Sequence, residues 1–218
     1  MPTVSANSQP STQSPAQSHF KAQTLAAYQD WISRHDWDVF GTLNFVPNRK
    51  PHIDTAQKQW SYFWNKVDRL AYGQTGVQSG ARVERVVCNQ FGSLGENPHI
   101  HFLAKSPINT DDFCVYLNAL WAATSPEAAP PNSNEIYPVL KVNRASGYSL
   151  HEYWKLGSET FNDRLTCLNT DKTPPKPRLD AADRLKIAGK EIWLTRARLA
   201  LPNHIENAQA RYNKRHAH

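Results

Sequence analysis

The chain has 218 residues, with 25 Lys and Arg against 19 Asp and Glu and a formal charge of +6. At 39% hydrophobic residues it can bury one real core, which excludes a wholly disordered or collagen-like chain. It holds no run of about 18 apolar residues, so no membrane span is expected. No basic region followed by an apolar stretch marks a secretory signal. Its three cysteines, Cys88, Cys114 and Cys167, lie far apart, which fits a reducing cytoplasm better than a disulfide framework or a zinc site.

Charge divides the chain into three. Residues 1–19 hold no Asp, Glu, Lys or Arg and are rich in Ser, Gln, Pro and Ala, so they are expected to be a disordered tail. Residues 20–165 hold 14 basic and 14 acidic side chains and are expected to carry the folded domain. Residues 166–218 hold 11 basic and 5 acidic, so the whole surplus belongs to a basic C-terminal extension, set off by the Pro-rich stretch 170–177.

In chain order, Leu25, Tyr28 and Ile32 predict a first helix over about 22–34. Residues 37–45 alternate and predict a strand with one buried and one semi-polar face. Asp54 and Gln57 resemble a capping box, followed by an apolar stripe through Trp60, Phe63, Val67 and Leu70 that ends near Tyr72-Gly73. Residues 82–90 and 98–104 predict a β-hairpin. A helix with Thr110 as N-cap follows, then a loop over 126–134, a strand over 136–142 and a short helix over 148–156. The order α-β-α-β-β-α-β-α predicts an α+β fold, an antiparallel sheet with helices packed on one face.

On the second hairpin strand His99 and His101 are two residues apart, so both imidazoles point to one face. Two strand histidines are often no more than half-exposed polar residues, but a pair side by side is also how a divalent-metal site is prepared. A hairpin loop over 91–98 sets Gln90 opposite His99 and Cys88 opposite His101. The Gln90 amide oxygen is then a candidate third ligand, a donor that suits Mg²⁺ or Mn²⁺. On the last helix Tyr148 and His151 share a face, with Tyr153 about 140° away. A phenol near a bound cation is a candidate nucleophile; the same tyrosines could equally be core aromatics.

Three segments now stand in a telling order: Phe40-Gly41-Thr42-Leu43-Asn44-Phe45, Pro98-His99-Ile100-His101-Phe102 and Tyr148-Ser149-Leu150-His151-Glu152. They resemble the three motifs of HUH endonucleases, specifically the rolling-circle replication initiators (Rep proteins) of small plasmids and phages, over about residues 37–157. The resemblance implies an RRM-like βαββαβ nuclease core. It implies that His99 and His101 ligate Mg²⁺ or Mn²⁺, with Gln90 where the family often has Glu, Asp or Gln. It implies that Tyr148 attacks the scissile phosphate of single-stranded or hairpin origin DNA, leaving a 5′-phosphotyrosyl link and a 3′-OH that primes replication. The family's third motif commonly places Lys where this chain has His151; Lys155 could substitute, and Tyr153 is the alternative nucleophile.

No G-x-x-x-x-G-K-[ST] loop is present, so a host helicase and polymerase are expected partners. Candidate DNA contacts are Phe40, Thr42 and Asn44 on the first strand, and Arg184, Lys186, Lys190, Arg196 and Arg198 on an amphipathic helix expected before Pro202. That helix could equally be a solvated face packed on the core. Two further functions share these features: a single-tyrosine transposase or relaxase with the same chemistry, and a non-catalytic single-strand-binding module.

Overall fold

The first helix, α1 (Pro15–Ser33), places Leu25, Tyr28 and Ile32 on its inner side and begins seven residues before the expected 22, with Pro15 at its first turn. The structure, a computed structural model, describes residues 15–168 and 191–214. Of the expected N-terminal tail, residues 1–14 lie outside that range and 15–19 are helical. The Pro-rich stretch 170–177 lies outside it as well.

Strands β1 (Val39–Leu43), β2 (Arg85–Gln90), β3 (His99–Ala104) and β4 (Glu135–Pro138) form one four-stranded sheet in the order β2-β3-β1-β4. All neighbours are antiparallel. Position 41 in β1 must be glycine, because a Cβ there would run into the Phe102 ring of the adjacent strand. The last strand stops at Pro138, short of the expected 142; proline has no N–H to continue the ladder, and residues from Val142 onward are already helical.

Helices cover both faces of the sheet, not one. On the first face, Trp60, Phe63, Trp64 and Val67 of α2 (Ile53–Gln78) and Phe113 and Leu117 of α3 (Thr110–Ala122) pack on Val39, Leu43, Val87, Ile100 and Phe102. On the second face, Ile32 and Tyr28 of α1 and Val142 and Ala145 of α4 (Val142–Ser149) pack on Phe40, Val86, Cys88 and Leu103. All five residues of β1 are buried, so the face expected to be semi-polar is a second core.

Local signals shifted in identifiable ways. The Asp54–Gln57 capping box does not form: His52 Nδ1 caps α2 by accepting from Asp54 N, and Gln57 is spent on Asn89 and Asn162. Gly73 turns out of helical geometry at φ 70, yet α2 resumes through Gln78. Asn109, not Thr110, caps α3, its Oδ1 accepting from Asp112 N at 3.2 Å. The expected helix 148–156 is divided into the end of α4 and a single turn, α5 (Tyr153–Leu156).

The C-terminal helix α6 (Glu191–Lys214) runs through Pro202 instead of stopping before it. An interior proline costs about 3 kcal/mol; burial of Leu194, Ala197, Ala200, His204 and Ala208 offsets that cost. Leu194 and Ala197 belong to the main core, so this part of the expected extension is packed on the body. Beneath α2, Asp68 binds Arg85 through both oxygens at 2.8 and 3.1 Å and accepts from Val83 N, which pins the start of β2. Among the described residues no helix is long and apolar enough to cross a membrane.

Candidate active site

The hairpin register sets Gln90 opposite His99 and Cys88 opposite His101, as its loop length requires, and sets Thr42 of β1 opposite His101 from the other side. His99 and His101 therefore sit on an inner strand and project to the second face, beneath α4. Their ring centroids are 5.2 Å apart. The end of α4 brings Tyr148 against His101, ring centroids 4.8 Å apart, and the following turn stacks His151 on Tyr148 at 5.1 Å. Tyr148 is 41% exposed, so its ring lies between His101 and solvent.

Each imidazole has one Nδ1 partner, and the Glu152 carboxylate lies 3.9 Å from His151 Nε2. His99 Nδ1 donates to the Asn97 carbonyl at 2.8 Å and His151 Nδ1 donates to the Tyr148 carbonyl at 2.7 Å, because a carbonyl oxygen only accepts. Neutral rings so held carry the lone pair on Nε2. His101 Nδ1 lies 2.8 Å from Thr42 Oγ1. With the proton on Nδ1, Nε2 presents a lone pair; the other tautomer would bury an N–H with no acceptor, the costlier arrangement.

Burial holds both strand histidines uncharged. It lowers the pKa of His99 despite the Asn97 carbonyl and Glu152, and drives that of His101 well below the ordinary value, helped by His99 and His151. Cys88, though opposite His101, is a neutral thiol whose burial pushes its pKa up to about 12.

Among the described residues, two buried polar atoms here have no hydrogen-bond partner: His101 Nε2 and Gln90 Oε1. Gln90 Nε2 donates to the Ser149 carbonyl at 2.8 Å, so the amide is fixed with its oxygen left over. Orphaned buried polar atoms are rare and mark either strain or an ion or water site. Among the described residues no group of three or more His, Cys, Asp or Glu could hold a metal ion. A cation here would thus need the Gln90 amide oxygen beside His99 and His101, and the two orphaned atoms fit that requirement.

Several expected roles change. Phe40 is buried under His101 and Tyr148 and is not exposed for base stacking. Thr42 is buried and holds His101 rather than DNA. Asn44 lies beyond the strand end and bonds Ser133 and Asn134. Tyr153 is buried edge-on to Tyr28, away from the histidines. Lys155 Nζ donates to the Gly92 carbonyl at 2.7 Å, tying the hairpin loop to α5 instead of joining the imidazoles. Arg196 and Arg198 are exposed on the first half of α6, about 20 Å along the helix from Arg211. Arg184, Lys186 and Lys190 lie outside the described residues.

The sequence reading passed over Glu152, which is buried and accepts from Phe91 N at 2.8 Å, fixing the backbone next to Gln90. Its signal was the one carboxylate between Tyr148 and Trp154. No family model, no curated protein and no solved structure matches the chain.

Proposed function

We propose that this chain nicks single-stranded DNA by tyrosine transesterification, in the manner of the HUH endonucleases its motifs resemble. One observation carries the reading: a half-exposed phenol, Tyr148, stands against His101 of a strand histidine pair whose neighbourhood contains two buried polar atoms without a hydrogen-bond partner. The strand order β2-β3-β1-β4, with α2 and α3 as the crossovers, is that of a ferredoxin-like βαββαβ unit, and it supports the RRM-like core.

His99 Nε2, His101 Nε2 and Gln90 Oε1 would hold Mg²⁺ or Mn²⁺, which supplies Lewis-acid polarisation of a phosphodiester oxygen when bound. Tyr148 Oη attacks phosphorus; the new O–P bond forms as the bond to the 3′ oxygen breaks, leaving a 5′-phosphotyrosyl link and a 3′-OH. His151 Nε2 accepts the phenol proton, because its Nδ1 is committed to the Tyr148 carbonyl. A proton from solvent neutralises the departing 3′ oxygen. Strand opening would fall to a host helicase, and the 3′-OH would serve a host polymerase.

A transposase or relaxase would use the same residues, and the DNA substrate separates those biologies. A purely binding module is less well supported, since α1 and α4 cover the sheet face that would stack bases and Phe40 is buried. The test is incubation of the full chain with hairpin-bearing single-stranded oligonucleotides and Mn²⁺, followed by a denaturing gel. A covalent adduct abolished by EDTA is expected. The absence of any adduct across a random-hairpin library would overturn the reading.

A further inference from the structure

Beside Tyr148, on the side away from the histidines, a cleft runs between α4 and the C-terminal half of α6. Tyr137, Tyr148 and Tyr212 are among the aromatics that line it, with the buried Phe40 ring behind them. Burial pushes the Tyr137 phenol up to about 12, so that wall is uncharged. The rim is cationic. The Arg144 guanidinium lies 4.3 Å over the Tyr212 ring and donates to the Tyr212 carbonyl at 3.2 Å, and Lys141 Nζ is 5.2 Å from the same ring. Arg211 also lines the cleft, but its charge is matched by a bidentate pair with Glu135 at 2.7 and 2.8 Å. Among the described residues no carboxylate lines the cleft, and Lys141 and Arg144 make its rim basic.

An aromatic-lined cleft with two cations at its rim suits a ligand that is planar and apolar at one end and anionic at the other. We propose that this cleft is a nucleotide subsite, holding one unstacked base of single-stranded DNA against Tyr212 with its phosphate at Lys141 and Arg144. The inference rests on the nicking reading for its substrate and extends it to α6, which lies outside the span of the family resemblance. Tyr148 is shared between the cleft and the histidine site, so the base held here flanks the phosphate that Tyr148 faces. The C-terminal helix thereby forms one wall of the site rather than a separate clamp.

The test is fluorescence anisotropy of labelled dT12 and a mixed-sequence 12-mer with the full chain in EDTA, where no cleavage intervenes. Tyr212→Ala should weaken binding about 10-fold, as the loss of one base stack does. Tyr212→Phe should bind like the wild type, and Lys141→Gln should reduce the slope of log K against log salt by about 0.7, one single-strand phosphate contact. Lys141 is exposed, so its variant keeps the test decisive should Tyr212→Ala unfold. Wild-type affinity and salt slope in both Tyr212→Ala and Lys141→Gln would overturn the subsite; an Mn²⁺-dependent adduct from the wild type would then leave the nicking reading standing. Tyr212-dependent binding with no adduct from the wild type supports the subsite and removes the nicking. A wild type that binds neither oligonucleotide at low salt overturns both.

Discussion

The amide nitrogen of Gln90 donates to the carbonyl oxygen of Ser149 across 2.8 Å, so the strand beside the histidines holds the end of the helix that carries Tyr148. Gln90→Met keeps the length of the side chain and removes both of its polar atoms. The stranded Ser149 carbonyl should cost about 1–3 kcal/mol, read as a lower urea midpoint. The Mn²⁺ concentration needed for adduct formation should rise as well. A variant with wild-type metal response would remove Gln90 from the ligand set.

Tyr148→Phe should abolish the covalent adduct and leave the urea midpoint near that of the wild type, because the ring stays and only a hydroxyl on a half-exposed side chain is lost. Tyr153→Phe should retain the adduct, since that ring is buried against Tyr28. The opposite pattern on a denaturing gel would transfer the attacking role to Tyr153.

Thr42→Val preserves the β-branched shape and deletes the oxygen that orients His101. Partners of this kind are worth about 10–100-fold in metal affinity, so Mn²⁺ titration should show a loss in that range. Unchanged Mn²⁺ affinity would show that the Thr42 hydroxyl does not matter to the site.

Asp68→Ala strips the partner from Arg85, whose side chain is 6% exposed and packs 4.5 Å over the Trp64 ring. Leaving a buried charge unpaired costs about 3–5 kcal/mol. Urea denaturation of the variant measures it, and a loss below about 1 kcal/mol would mean that the Leu165 and Val83 carbonyls, to which Arg85 also donates, suffice with water to hold the charge.

His204 supplies a pH dependence of known sign. Burial lowers its pKa, against the Ile136 carbonyl and Glu135 and with help from Arg211. The unfolded chain takes up a proton near pH 6.5 while the native ring resists it, so stability present above that pH is lost as pH falls below it, at about 1.4 kcal/mol per unit for each such group. His99 and His101 are shifted the same way and add to the slope in metal-free protein. His204→Gln should flatten part of the fall in urea midpoint between pH 7.5 and 5.5. An equal slope in variant and wild type would show that the native ring is protonated too.

The parts of the site that were legible in the sequence are those fixed by parity and loop length. An eight-residue gap between strands sets Gln90 against His99, and period-two geometry then puts both histidines on one face. The two-sided sheet was misread because Phe40 and Thr42 pass for a semi-polar face when β1 is taken alone. The neighbouring runs Val86-Val87-Cys88 and Ile100-His101-Phe102-Leu103 are nearly unbroken apolar stretches, which is how strands buried on both faces read. The path of α6 was not legible. Pro202 is a local stop signal, and the packing of Ala197, Ala200 and His204 that overrides it is a long-range fact. Arg144 and Tyr212, 68 positions apart and in contact, were invisible for the same reason.

Gly41 and His101 lie on adjacent strands and would behave oppositely under selection. Every side chain at 41 meets the Phe102 ring, so a saturation library sorted only for folded protein should keep glycine there and little else. His101 buries a polar atom with no partner, a cost to folding that an apolar residue of similar size would remove. The same library should accept Leu or Phe at 101, the stranded Thr42 hydroxyl offsetting part of the gain, while a library sorted for DNA nicking should return histidine alone. Divergence between the two sorts at 101, with agreement at 41, separates what the sheet requires from what the chemistry requires.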